Sequence, residues 1–247
     1  MMAGHDRPPV LTREKDLDAI APVFVAATAF VGTHFLLSHP LRRPLVQAMG
    51  EAVFLGIYSL VAIATLSWMA SAYRAAPATA PLWDVGNVLW AIVTVVMLLA
   101  SVLLMGSVVG NPALPSPGSA SKVPSEARGV YAVMRHPMMW AFALWGACHI
   151  AVYPIGKNIV VSAAIMVLAL LGAAFQDRKK QRLQPDTWPV WEKLTSYWPF
   201  AAVISGRARL GGFGLHALAG GLVVWLAATW AHIPFAGWAA GIWLWIA

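Results

Sequence analysis

An all-α integral membrane bundle of about six transmembrane helices, with a short apolar C-terminal segment, is the fold this sequence predicts. Three observations carry it. Of 247 residues, 60% are hydrophobic and only 11% charged, where a soluble domain carries about 25% charge. Six windows free of Asp, Glu, Lys and Arg (19–41, 52–73, 85–121, 136–156, 158–176 and 210–247) are each long enough for the roughly 20 apolar residues that cross a bilayer. The basic residues are sorted unequally between alternate linkers. Residues 1–18 read as a polar N-terminal tail and 19–247 as a single transmembrane domain.

The first span, with its core at 20–37, follows the charged, proline-bearing stretch 5–18. It exceeds the roughly 7 to 15 apolar residues of a signal-peptide core, so it is expected to be a retained helix. The second and third cores fall at 52–71 and 88–109. The segment 111–124, rich in proline, serine and glycine, reads as an irregular loop. The fourth and fifth cores, 138–153 and 159–175, make a helical hairpin turned at Gly156-Lys157-Asn158. The sixth core, 213–232, is followed by Pro234 and by the tail 237–247, which is too short to cross and should pack on the bundle or lie in the interface.

Of the 17 Lys and Arg residues, 12 fall in the linkers after spans one, three and five. The positive-inside rule puts those linkers in the cytoplasm and both termini outside, as in a bacterial inner membrane. The basic linker 177–209 carries Trp188, Trp191, Tyr197 and Trp198. Beside a span this mixture points to anionic headgroups with indoles anchored at the interface, ahead of nucleic acid.

Two histidines, His34 and His149, fall within apolar stretches, where a polar ring is costly without a partner and marks a functional site. Two neutral imidazoles from two helices could ligate a haem iron; each could equally act as polar glue between helices. Counting helical rise from the cytoplasmic ends sets His34 about 9 Å deep and His149 about 20 Å. A shared iron therefore requires the first helix to reach Pro44 or to tilt. His39, His136, His216 and His232 are reserve ligands, the last two read as packing or interface residues. Cys148, the single cysteine, excludes an intrachain disulfide and a cysteine-cluster metal site.

A second concentration of chemistry is Arg128-Gly-Val-Tyr131-Ala-Val-Met-Arg135-His136-Pro137. Pro137 suits a first helical turn, which sets His136 and Arg135 at a helix mouth able to hold an anion. Ordinary headgroup or backbone contacts of an interfacial pair are the competing reading.

The runs His34-Phe-Leu-Leu-Ser38-His-Pro-Leu41-Arg42, Gly50-Glu51 with Phe54, Arg135-His136-Pro137 with Trp145 and His149, Asp177-Arg178, and Pro199-Phe-Ala-Ala202 with Gly206-Arg207 resemble NnrU-type proteins and 15-cis-zeta-carotene isomerases. The resemblance implies a haem b protein with iron ligands at His34 and His149. It also implies cis–trans isomerisation of a carotenoid-like polyene that enters from the bilayer. In the isomerases a cysteine three residues before the second histidine is an alternative ligand; here that position is Gly146. Arg128, Arg135 and Lys122 would pair with haem propionates or lipids. The NnrU branch implies instead a nitric oxide or denitrification-related sensor or accessory.

The pattern Gly129-x-Tyr131-x-x-x-Arg135-His136-Pro137 is also similar to membrane isoprenylcysteine and phospholipid methyltransferases and to sterol reductases. That likeness implies a cytosol-facing pocket for S-adenosylmethionine or NADPH, lined by Tyr131, Arg135, His136, Asp177, Trp191 and Glu192. Asp177-Arg178 stands where the methyltransferases carry two glutamates, and Arg178 would oppose a sulfonium cation. Haem therefore ranks first.

Overall fold

The computed structural model describes residues 10–114 and 123–246, with side chains from Asp18 onward. Lys122, tail residues 1–9 and most of the loop 111–124 lie outside the described residues. Those described form helices alone: α1 (Val10–Ser38), α2 (Arg42–Met49), α3 (Glu51–Ala75), α4 (Asn87–Gly106), α5 (Val130–Val133), α6 (Pro137–Val152), α7 (Gly156–Leu183), α8 (Trp188–Leu194), α9 (Ala201–Ile204), α10 (Leu215–Ala236) and α11 (Trp243–Ile246).

Helices α1, α3, α4, α7 and α10 are long and apolar enough to cross a membrane, and α6 is a shorter apolar helix. Five of the six expected spans thus have crossing length among the described residues, and the expected fourth span is the shorter α6. Their apolar side chains face outward as well as inward: Leu60 is 67% exposed and Val88 76%. A helix satisfies its own backbone, so such faces suit contact with lipid. The chain is an integral membrane protein.

Three boundaries differ from expectation, each for a local reason. Helix α1 starts at Val10, inside the expected polar tail, and stops at Ser38, with Pro40 in the turn that follows; it does not run on to Pro44. Gly156-Lys157-Asn158 is the first turn of α7, and the connector is Tyr153-Pro154-Ile155. Pro154 has no N–H to continue α6, and Asn158 Nδ2 donates to the Tyr153 carbonyl at 2.7 Å. Helix α10 passes through Pro234 and ends at Gly237, whose φ of +80° closes it with its N–H on the His232 and Ile233 carbonyls.

The fold divides into two compact units, one running to Asp84 and adding Tyr153–Ala164, the other comprising Val85–Val152 and the chain from Ile165. In the first, α1 packs on α3, and α2 touches both. Arg42 pairs with Glu51 at 2.7 Å between α2 and the start of α3. Lys157 Nζ donates to the Ala76 carbonyl at 2.7 Å and lies over the Tyr73 ring.

In the second unit α4 is central, packed against both α6 and α10. Gly221 sets the α4–α10 approach, because a Cβ there would lie 2.7 Å from Val102 Cα. Small residues at such crossings let helix backbones close up in lipid. The C-terminal tail returns to α10, where Trp243 Nε1 donates to Thr229 Oγ1 at 3.1 Å.

Candidate functional site

The Arg-His-Pro segment is built where α6 begins. Gly129, with φ of +58°, supplies the turn into α5 that a side chain would strain, and α5 is buried along its length. Arg135 then donates its backbone N–H to the Ser196 carbonyl at 2.6 Å, and the His136 carbonyl accepts the first helical bond from Trp140 at 3.1 Å. Pro137 opens α6 as the sequence predicts.

Asp177, near the end of α7, faces this mouth. Arg135 Nε donates to its two oxygens at 3.0 and 3.1 Å, and Nη2 donates to Oδ2 at 2.8 Å. His136 Nε2 donates to Oδ1 at 2.7 Å. Arg135, His136 and Asp177 are all buried, so their charges and donors are spent on one another. Glu192 adds a more distant carboxylate, 3.9 Å from Arg135 Nη2, and Thr195 Oγ1 accepts from Arg135 Nη1 at 3.4 Å. Bidentate pairing of this kind is among the strongest a protein makes.

Around the triad lies an aromatic shell. Tyr131 meets Trp191 edge-on at 5.6 Å between ring centres, and His136 lies 6.3 Å from Trp188. Burial pushes the Tyr131 phenol well above its ordinary range. Burial and then the Asp177 charge push Tyr197 upward too, so both phenols stay protonated at neutral pH.

Trp188 and Trp191 are fully buried in the cluster with Val130, Tyr131 and Met134, which corrects their reading as lipid-interface anchors. Three residues apart on α8, they share one face, and that face turns inward. Trp198 is 64% exposed. Lys180 is also buried and donates to the Pro112 carbonyl at 3.0 Å, so it is not a headgroup contact.

Of the predicted cofactor contacts, the structure gathers Tyr131, Arg135, His136 and Asp177 into one locality. Arg128 stands apart, its side chain 81% exposed and paired with Glu126 at 2.8 Å. Sequence reasoning missed Thr195, Ser196 and Arg207. Arg207 Nη1 donates to the carbonyls of Glu192, Lys193 and Thr195 at 3.3, 3.0 and 3.0 Å, tying down the end of α8. Only the Gly206-Arg207 motif hinted at this.

The intramembrane histidines lie in different units. In the first, His34 on α1 donates Nδ1–H to the Phe30 carbonyl at 2.7 Å and sits edge-on to Phe30 and Tyr58 at 4.4 and 5.6 Å. In the second, His149 on α6 donates Nδ1–H to the Trp145 carbonyl at 2.8 Å, with the Trp145 ring 4.0 Å away. His232 on α10 repeats the arrangement, donating Nδ1–H to the Ala228 carbonyl at 2.8 Å, and its ring lies 6.0 Å from that of His149.

An Nδ1–H committed to a backbone carbonyl fixes the tautomer and puts the lone pair on Nε2, the pattern metal-bound histidines adopt. Among the described residues no group of three or more His, Cys, Asp or Glu side chains could hold a bare metal ion. Imidazoles in ones and twos suit a metal whose other ligands come from a macrocycle. Cys148 is a buried free thiol.

The sequence model of the NnrU protein family matches residues 23–240. The chain belongs to the NnrU family. It is also similar to the chloroplastic 15-cis-zeta-carotene isomerase of Zea mays, with 33% identity over 84 residues, a match covering 33% of this chain and 22% of that relative. The matched segment is thus about a fifth of the isomerase. No solved structure matches the chain.

Proposed function

We propose that this NnrU-family protein binds haem b, with His34 and His149 each a candidate iron ligand, and isomerises a carotenoid-like polyene in the membrane. The observation that carries this reading is the shared imidazole geometry. Each ring, on an apolar helix, spends Nδ1–H on the carbonyl four residues back and keeps Nε2 as its basic nitrogen. The donor set therefore fits a haem. The similarity to a protein named as a carotene isomerase supplies the substrate class.

Haem, when bound, supplies a redox-active iron able to interact with a polyene and lower its cis–trans barrier without net oxidation. The chain's own part is to hold and orient. Phe30 and Tyr58 fix the His34 ring edge-on, and Trp145 stacks along His149. The outward apolar faces of the spans admit a hydrophobic substrate sideways. The Arg135–His136–Asp177 triad anchors the polar end of α6, which carries His149, to the end of α7.

Protein purified in detergent after expression with haem precursor should show a Soret band and sharp low-spin bands on reduction. The double variant His34→Ala/His149→Ala should lose the haem while eluting as the same folded species. A featureless wild-type spectrum, or an unchanged one in the double variant, overturns haem ligation. Reduced, haem-replete protein that leaves a 15-cis polyene unchanged overturns the isomerase half alone.

A further inference from the structure

Three buried donors in the second unit have nothing to donate to among the described residues: the phenol of Tyr131 and the indole N–H groups of Trp188 and Trp191. All three side chains belong to one packed cluster, and none is more than 9% exposed. Folded proteins seldom leave such donors unpaired, because each gave up water on burial. The Tyr131 ring meets that of Trp191 at 5.6 Å, and Trp188 shares the inward face of α8 with Trp191.

Lys180 brings a positive charge to the same corner. Its ammonium lies 5.7 Å from the centre of the Trp188 ring, and its hydrogen bond goes to the neutral Pro112 carbonyl. The carboxylates of the corner are engaged elsewhere, Asp177 by Arg135 and His136, and Glu192 by Gln181 at 2.9 and 3.0 Å. The corner therefore has donors and a cation in excess and lacks oxygen acceptors to match them. Gln184 Oε1, one turn beyond Lys180 on the side of α8, is an unpaired acceptor, which suits the P–OH of a hydrogen phosphate.

We propose that Lys180, Tyr131, Trp188 and Trp191 form a binding site for the phosphate group of a small soluble compound. A phosphate offers several strong acceptor oxygens to four donor groups at once. Burial of both indoles inside the protein favours a free phosphate compound over a lipid headgroup. Both indoles ride on the seven-residue α8, so displacement of that one short helix admits the ligand. The site is independent of the haem reading and of the residues that carry it.

The test uses full-length protein in a neutral detergent, isotope-labelled at the tryptophan nitrogens. Sodium phosphate is titrated against sodium chloride of equal ionic strength, with short-chain phosphatidylglycerol as a parallel arm. Phosphate should raise the melting temperature by several degrees, as a ligand of the folded state does. It should also move the two indole N–H resonances that are missing from Trp188→Phe and Trp191→Phe. In the double variant Trp188→Phe/Trp191→Phe an apolar ring remains but both donors are gone, so the phosphate-dependent rise should be lost. Lys180→Met should lose it too, and serves if the double variant fails to fold.

Wild-type protein that phosphate leaves unmoved, or a rise that survives in the variants, overturns the site. A response to the lipid alone overturns the soluble ligand and assigns the phosphate to a headgroup.

Discussion

Asp177 accepts four hydrogen bonds from two buried cationic or polar side chains, and that makes it the most vulnerable single residue outside the histidines. Removing the carboxylate leaves the Arg135 guanidinium buried with no bidentate partner, and breaking a buried pair in this way costs about 3–5 kcal/mol. Asp177→Ala should therefore lower the thermal unfolding temperature of detergent-solubilised protein sharply. The triple change Arg135→Met/His136→Phe/Asp177→Leu removes the charges together and should melt near the wild type, since apolar replacement of a whole buried network is often neutral. If the triple variant melts as low as Asp177→Ala, shape rather than charge pairing holds this corner.

Helix α4 owes its place to glycine on its neighbour. A Cβ at Gly221 would press on the Val102 backbone at 2.7 to 2.8 Å, and backbone cannot swing aside as a long side chain can. Gly221→Ala should cost about 1–3 kcal/mol by overpacking, read as a fall in melting temperature. Gly56→Ala, with open space around it, is the control expected to change little.

The spans themselves were legible because their signal is compositional and long. Their ends were not, because single residues decide them. Pro154 placed the connector before Gly156, and the αL glycine at 237, rather than Pro234, closes α10. The triad was half legible: Arg135 and His136 stood out at the Pro137 helix start, but their partner Asp177 lies 41 and 42 residues on. No local spacing joins them. Trp188 and Trp191 misled because tryptophan beside basic residues is the composition of a membrane interface and also of a packed amphipathic helix. Which way α8 turns is set by Tyr131 and Val130, far away in sequence.

At the scale of the whole molecule the open physical question is orientation, and the charges bear on it in an uneven way. Several basic residues on the expected cytoplasmic side are structurally engaged: Arg135 with Asp177, Lys180 with Pro112, and Arg207 with the end of α8. The positive-inside bias counts basic residues near span ends in short loops. Their later burial in the fold leaves that count intact. The segment between α7 and α10 should then face the cytoplasm, and the one between α3 and α4 the opposite side. Cys148 is buried, so single cysteines can report exposure with little background. Ala80→Cys and Lys193→Cys sit at exposed positions in those two segments. In intact bacterial cells a membrane-impermeant maleimide should label the first and spare the second, with both labelled after permeabilisation. The opposite pattern would invert the topology, move the Arg135–His136–Asp177 corner to the outer face, and remove any cytosolic cofactor from its reach.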